Sequence, residues 1–91
     1  MRVTARVPRL GVGYTRGAAR LVKSPATRAK VSACVRALMN APALPGPADV
    51  ATIIPPTRAA YVRQVPGLAL WIWYGATPEV LTLYLLADAP P

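Results

Sequence analysis

The chain of 91 residues reads as one α+β domain: a short N-terminal strand, a two-helix hairpin, then a three-stranded antiparallel meander packed on the helices. Three observations predict this. Apolar residues recur at helical spacing as far as Asn40, a proline-rich linker at about 41–49 interrupts them, and from Ala59 onward they recur every second residue. Apolar residues make up 54% of the chain and charged residues 15%, the balance of a folding chain. A domain of this size buries only roughly 60–65% of its unfolded surface, which leaves room for a partner to add stability.

In chain order, RVTARV at residues 2–7 alternates polar with apolar, which predicts a short strand ended by Pro8. Gly11-Val12-Gly13 reads as a loop. A first helix is expected over Thr15–Lys23, with Tyr14, Ala18, Leu21 and Val22 on one face and Arg16, Arg20 and Lys23 on another. Gly17 inside it costs about 1 kcal/mol relative to Ala. The second helix has stronger signals: Ser24 as N-cap, Pro25 at the first helical position, and the stripe Val31, Cys34, Val35, Leu38 running to about Asn40. Its polar face carries Arg28, Ser32 and Arg36, and the junction at Ser24-Pro25 predicts a helical hairpin.

Pro42, Pro45, Gly46 and Pro47 make the linker stiff. VATII at 50–54, halted by Pro55-Pro56, is expected as an edge strand or an extended lead-in. AAYVRQV, LALWIWY and VLTLYLLA are the three meander strands, turned at Pro66-Gly67 and at Gly75 to Glu79.

The charge is uneven. Eleven Lys and Arg oppose three acids, a net charge of +8. Residues 1–36 hold Arg2, Arg6, Arg9, Arg16, Arg20, Lys23, Arg28, Lys30 and Arg36 with no acid, so this half is the expected contact surface for something anionic. The absence of His removes Ser-His-Asp triads and His-liganded zinc. Cys34, the one cysteine, allows no intrachain disulfide or thiolate cage and fits a reducing cytosol. Asp49, Glu79 and Asp88 lie far apart in sequence, a poor basis for a metal cage, so neither metal nor cofactor is expected. The longest charge-free stretch, Gln64 to Pro78, is interrupted by Pro66 and Gly67, and no apolar run follows the arginines of MRVTARVPRL. Neither a membrane span nor a signal peptide is expected, and the cytoplasm is the expected compartment. Gly11, Gly13 and Gly17 spell GxGxxxG, which lacks the remaining residues of a phosphate loop.

SPATRAKVSACVRALMNAP, a helix opened and closed by proline, and YVRQVPGLALWIWYGATPEVLTLYLL, an antiparallel meander, together cover about half the chain. In this order, on a short basic chain, they resemble the RelE/ParE superfamily of small toxins from bacterial toxin-antitoxin pairs. The resemblance implies either a ribosome-dependent ribonuclease or a non-nucleolytic poison of DNA gyrase, neutralised by an acidic antitoxin protein that wraps it. The nuclease branch works without His, through Lys, Arg and Tyr around the sheet. Arg63 matches a basic family position, whereas the arginine expected in the next strand falls near Leu70 and the last basic residue near Ala87-Asp88. These departures favour a ParE-like or catalytically lapsed member.

Arg58 and Arg63 are the only cations beyond residue 36; Arg63 shares a strand face with Tyr61, a pair suited to a phosphate and a stacked base or to a solvated strand face. Tyr84, expected on the side of Tyr74, is a candidate acid or a packed tyrosine, and a ribonuclease of this fold would use Arg58, Arg63 and Tyr84. Trp71 and Trp73 share the other strand face and are expected in the core, the alternative being an exposed binding patch. Arg16, Arg20, Lys23, Arg28 and Arg36 form a basic stripe for a phosphate backbone or an acidic antitoxin. A non-catalytic, basic nucleic-acid-binding module is the reading from another class.

Overall fold

The computed structural model describes residues 5–91 and is α+β, with two helices and a five-stranded mixed sheet. The elements are β1 (Val7–Leu10), α1 (Val12–Leu21), α2 (Pro25–Asn40), β2 (Val50–Ile54), β3 (Arg58–Gln64), β4 (Trp71–Ala76) and β5 (Val80–Ala87). Their order across the sheet is β1-β5-β4-β3-β2. β2 to β5 form an antiparallel meander, and β1 lies parallel to β5.

The expected three-stranded meander therefore has four strands, because VATII pairs with β3 along its whole length. β1 is not the strand expected at residues 2–7, of which residues 2–4 lie outside the described residues. It contains Pro8, which an edge strand tolerates because the missing N–H lies on a chain with a neighbour on one side only. β4 begins at Trp71 instead of Leu68, since residues 65–70 close a turn in which Val65 N–H donates to Leu70 O at 2.8 Å.

α2 forms as its local chemistry requires. Ser24 Oγ accepts from Thr27 N–H at 3.1 Å, and Pro25 opens the helix. α1 starts three residues earlier than expected, at Val12, and its glycines explain why. A Cβ on Gly13 would lie 2.7 Å from Tyr84 O, and one on Gly17 would overlap Leu86 O, so the GxGxxxG spacing lets α1 ride directly on the backbone of β5.

The core lies between the helices and one sheet face. Tyr14, Val31, Cys34 and Leu38 from the helices meet Ile72, Tyr74, Leu81, Leu83 and Leu86 from the sheet. Burial pushes the Cys34 thiol and the Tyr14 hydroxyl up from their ordinary values. Trp71 and Trp73 project away from this layer, since they alternate with Ile72 and Tyr74; Trp73 is nevertheless only 8% exposed, and Trp71 is half-buried. The expectation that the tryptophans lie in the core holds for Trp73, which is buried, but not for the half-buried Trp71, and the layer against the helices takes Tyr74 instead.

Arg6 is inside the protein, not on the basic surface. Its Nε donates to Thr77 O at 2.8 Å and its Nη1 to Ala41 O at 2.5 Å, while its backbone N–H reaches Met39 O at 2.9 Å. α2 has no basic residue in its last turn, so Arg6 brings a cation to the carbonyl end of that helix dipole. Among the described residues no helix is long and apolar enough to cross a membrane.

Candidate functional site

Sheet alternation separates the sequence candidates onto two faces. Tyr61 pairs with Tyr74 and Arg63 with Ile72, so both point to the helix side. There the Tyr61 ring lies 5.9 Å from the Tyr74 ring and packs against the core. Arg63 is engaged internally. Its Nε donates to Asp49 Oδ1 at 2.5 Å and its Nη2 to Asp49 Oδ2 at 2.9 Å.

Tyr74 Oη and Gly46 N–H also donate to Asp49 Oδ2, at 2.5 and 2.8 Å. Burial alone would raise the Asp49 carboxyl, but the hydrogen bonds from Arg63, Tyr74 and Gly46 outweigh it and hold the group below the usual carboxylate range. Burial and the Asp49 carboxylate push the Tyr74 hydroxyl well above its ordinary value, and the bond to Asp49 raises the Arg63 guanidinium further. The cluster ties the proline-rich linker to the sheet. The expected Arg63–Tyr61 phosphate site is thus corrected to a neutralised clamp, with Arg63 away from the face that holds Arg58 and Tyr84.

That second face is built by an irregularity. Tyr74 and Trp73 are consecutive on β4, yet their partners on β5 are Leu83 and Leu85, so Tyr84 is the extra residue of a β-bulge. The expectation that Tyr84 sits on the side of Tyr74 fails for this reason. The bulge directs Tyr84 to the open face, across Gly75: a Cβ there would lie 2.9 Å from Tyr84 Oη. Over the bare backbone the ring reaches Arg58 on β3, whose guanidinium carbon stands 5.3 Å from the ring centroid. Arg58 Nη1 lies 3.5 Å from Tyr84 Oη, at the long limit of a hydrogen bond.

Arg9, absent from the sequence candidates, completes the cluster. Parallel pairing sets it beside Thr82, and it lines a shallow pocket of about 300 Å³ with Gly75, Thr77, Thr82 and Tyr84. The signal that could have found it is its position in a basic N-terminal strand, once that strand is known to flank β5. The pocket offers guanidinium, hydroxyl and aromatic groups with no acid among its lining residues. Such a set binds an anion and stacks a planar group; it provides no imidazole or carboxylate as general base.

The remaining cations occupy the helix layer. Arg16, Arg20, Lys23, Arg28 and Arg36 are exposed. Arg20 faces Asp88 at 3.9 Å, a loose surface pair, and Lys23 Nζ donates to Ala19 O at 2.9 Å. Arg28 borders a groove between α1 and α2 lined by Tyr14, Ala18, Val22 and Val31. Among the described residues the basic half is therefore no single surface: Arg6 is interior, Arg9 belongs to the open sheet face, and Arg16, Arg20, Lys23, Arg28, Lys30 and Arg36 decorate the helix layer. No group of three or more His, Cys, Asp or Glu side chains able to hold a metal ion occurs among the described residues.

No protein-family model, curated protein or solved structure matches the chain.

Proposed function

We propose that this protein is a toxin-type protein of the RelE/ParE kind, working in the cytoplasm, which grips a macromolecular target and is neutralised by an acidic antitoxin protein. The observation that carries the reading is the separation of two cationic surfaces on a strand, helix-pair, meander frame. Arg9, Arg58 and Tyr84 stand on the open sheet face, and Arg16, Arg20, Lys23, Arg28 and Arg36 on the helix layer. The open face suits a polyanionic target, ribosome-bound RNA or the DNA held by gyrase. The helix layer suits an acidic partner, because in it only Arg20 approaches an acid among the described residues. Expression of the chain alone should arrest growth, and a small acidic protein encoded beside it should restore growth and co-purify with it. Unimpaired growth on expression alone sinks the reading.

The contact between Arg58 and Tyr84 favours a second reading, a metal-independent ribonuclease of the same fold. Arg58 and Arg9 would stabilise charge on phosphate, and Tyr84 would position the RNA or move a proton. Loss of RNA cleavage in Arg58→Ala with the fold intact is the expected result; undiminished cleavage excludes it. A basic nucleic-acid-binding module without toxicity would bind RNA with a steep salt dependence and leave growth unaffected.

A further inference from the structure

The two edges of the sheet are protected to different degrees. At the β1 edge, Pro8 removes a backbone donor and Arg9 adds charge, both of which discourage strand addition. The β2 edge has neither device. Val50-Ala51-Thr52-Ile53-Ile54 has no charge, no proline within it, and no neighbour on its outer side among the described residues. Val50 is 53% and Ile53 61% exposed. Such a strand presents a row of unpaired N–H and C=O groups beside apolar side chains.

We propose that β2 is a self-pairing surface: two copies of the chain join their Val50–Ile54 strands antiparallel about a two-fold axis at Thr52, making one continuous ten-stranded sheet. Three features of the strand point to a second copy as the occupant. The first is fit. This register sets each Ile53 opposite the partner's Ala51, so a large side chain meets a small one. Ala51, the residue Ile53 would face, borders a shallow hollow of about 300 Å³ lined also by Thr52, Ile53, Ala59, Ala60 and Tyr61.

The second is charge. On a chain of net charge +8, self-association needs a surface that keeps the cations of the two copies apart. β2 lies four strand spacings from β1, roughly 19 Å, and α1 with Arg16 and Arg20 packs over β5. Asp49, just before the strand, is already neutralised by Arg63. Among the described residues the nearest cation without an acidic partner is Arg58, the β3 neighbour of Ile54, and the two-fold holds the two Arg58 Cα atoms roughly 20 Å apart, beyond the screening length of about 8 Å at physiological salt. The third is symmetry: pairing about Thr52 satisfies the outward backbone groups of both strands, whichever alternate residues carry them.

Five paired residues a side make an interface below the roughly 1,200 Å² of a stable complex, so the dimer is weak and concentration-dependent. Sedimentation velocity at about 0.15 M salt should show the mass rising towards twice that of one chain as concentration is raised into the hundreds of micromolar. Thr52→Cys should oxidise to a covalent dimer, because facing Cα atoms in an antiparallel pair lie about 4.5–5.5 Å apart, within disulfide reach. Ile53→Lys, at an exposed site, should stay monomeric throughout with unchanged circular dichroism and melting. A wild-type chain that remains monomeric overturns the proposal and leaves the edge to a strand of another protein. Dimerisation that survives Ile53→Lys, or that leaves Thr52→Cys uncrosslinked, places the interface elsewhere and overturns it equally.

Discussion

Asp49 and Arg63, fourteen residues apart, form a two-pronged ion pair in which the Asp49 carboxylate is fully enclosed and the Arg63 side chain largely so. Removing one partner strands the other. Asp49→Ala should cost about 3 kcal/mol, and for a domain of this size a melting temperature lower by roughly 12–24 °C. Asp49→Asn keeps the shape and part of the hydrogen bonding and should fall between. A melting temperature unchanged in Asp49→Ala would show the clamp to be dispensable.

The same cluster sets two limbs of the pH profile. The Asp49 carboxyl is held low in the folded state, so its stabilisation is complete above the unfolded value, about 3.9, and is lost as pH falls through the folded one. The Tyr74 hydroxyl is held high, so its contribution is complete below about 10 and is lost as pH rises further. Urea titrations across pH should show losses at both extremes. In Tyr74→Phe the alkaline limb should flatten; an unaltered limb would assign it to other groups.

Arg6 closes the end of α2 from outside the helix. Arg6→Ala leaves Thr77 O and Ala41 O without their donor and should destabilise by about 2–3 kcal/mol, whereas Arg9→Ala, at an exposed site, should change stability by about 0.5 kcal/mol or less. Comparison of the two melts separates a structural arginine from a surface one that sequence treats alike.

Gly17 gives a test of sign. Helix propensity alone predicts that Gly17→Ala stabilises by about 1 kcal/mol. The structure predicts the reverse, a loss of about 1–3 kcal/mol, because the new Cβ meets the Leu86 carbonyl. A rise in melting temperature would mean that α1 can lift off β5 at little cost.

These residues also show what sequence can and cannot reveal. Ser24, Pro25 and the stripe ending at Leu38 act within one helix, so the start and end of α2 are legible. Alternation along β3 and β4 correctly separates Tyr61 and Arg63 from their neighbours, and the tryptophans from Tyr74. Which face meets the helices depends on packing, and that hid the burial of Arg63. The placement of β1 beside β5 and the bulge at Tyr84 depend on pairings some seventy and ten residues apart along the chain, with no local signature. Asp49, the first acid in the chain, was the one available hint that an internal cation needed a partner.

The open face supplies the last test, because its parts should fail in different ways. Arg58 and Arg9 offer charge, so replacing either by Ala should weaken binding of a single-stranded RNA oligonucleotide and reduce the slope of log affinity against log salt by about 0.7. Tyr84 offers a ring, so Tyr84→Ala should lose about 1–3 kcal/mol of binding with little change in slope, and Tyr84→Phe should retain most of it. Gly75→Val should mimic Tyr84→Ala without touching a charged residue, since its side chain would occupy the place where the ring lies. Arg16→Ala, on the helix layer, should leave RNA binding nearly unchanged while weakening capture of an acidic partner. Equal losses of RNA affinity from Arg16→Ala and Arg58→Ala would mean that the cations act as one diffuse field and that the Arg58–Tyr84 pair is no site of its own.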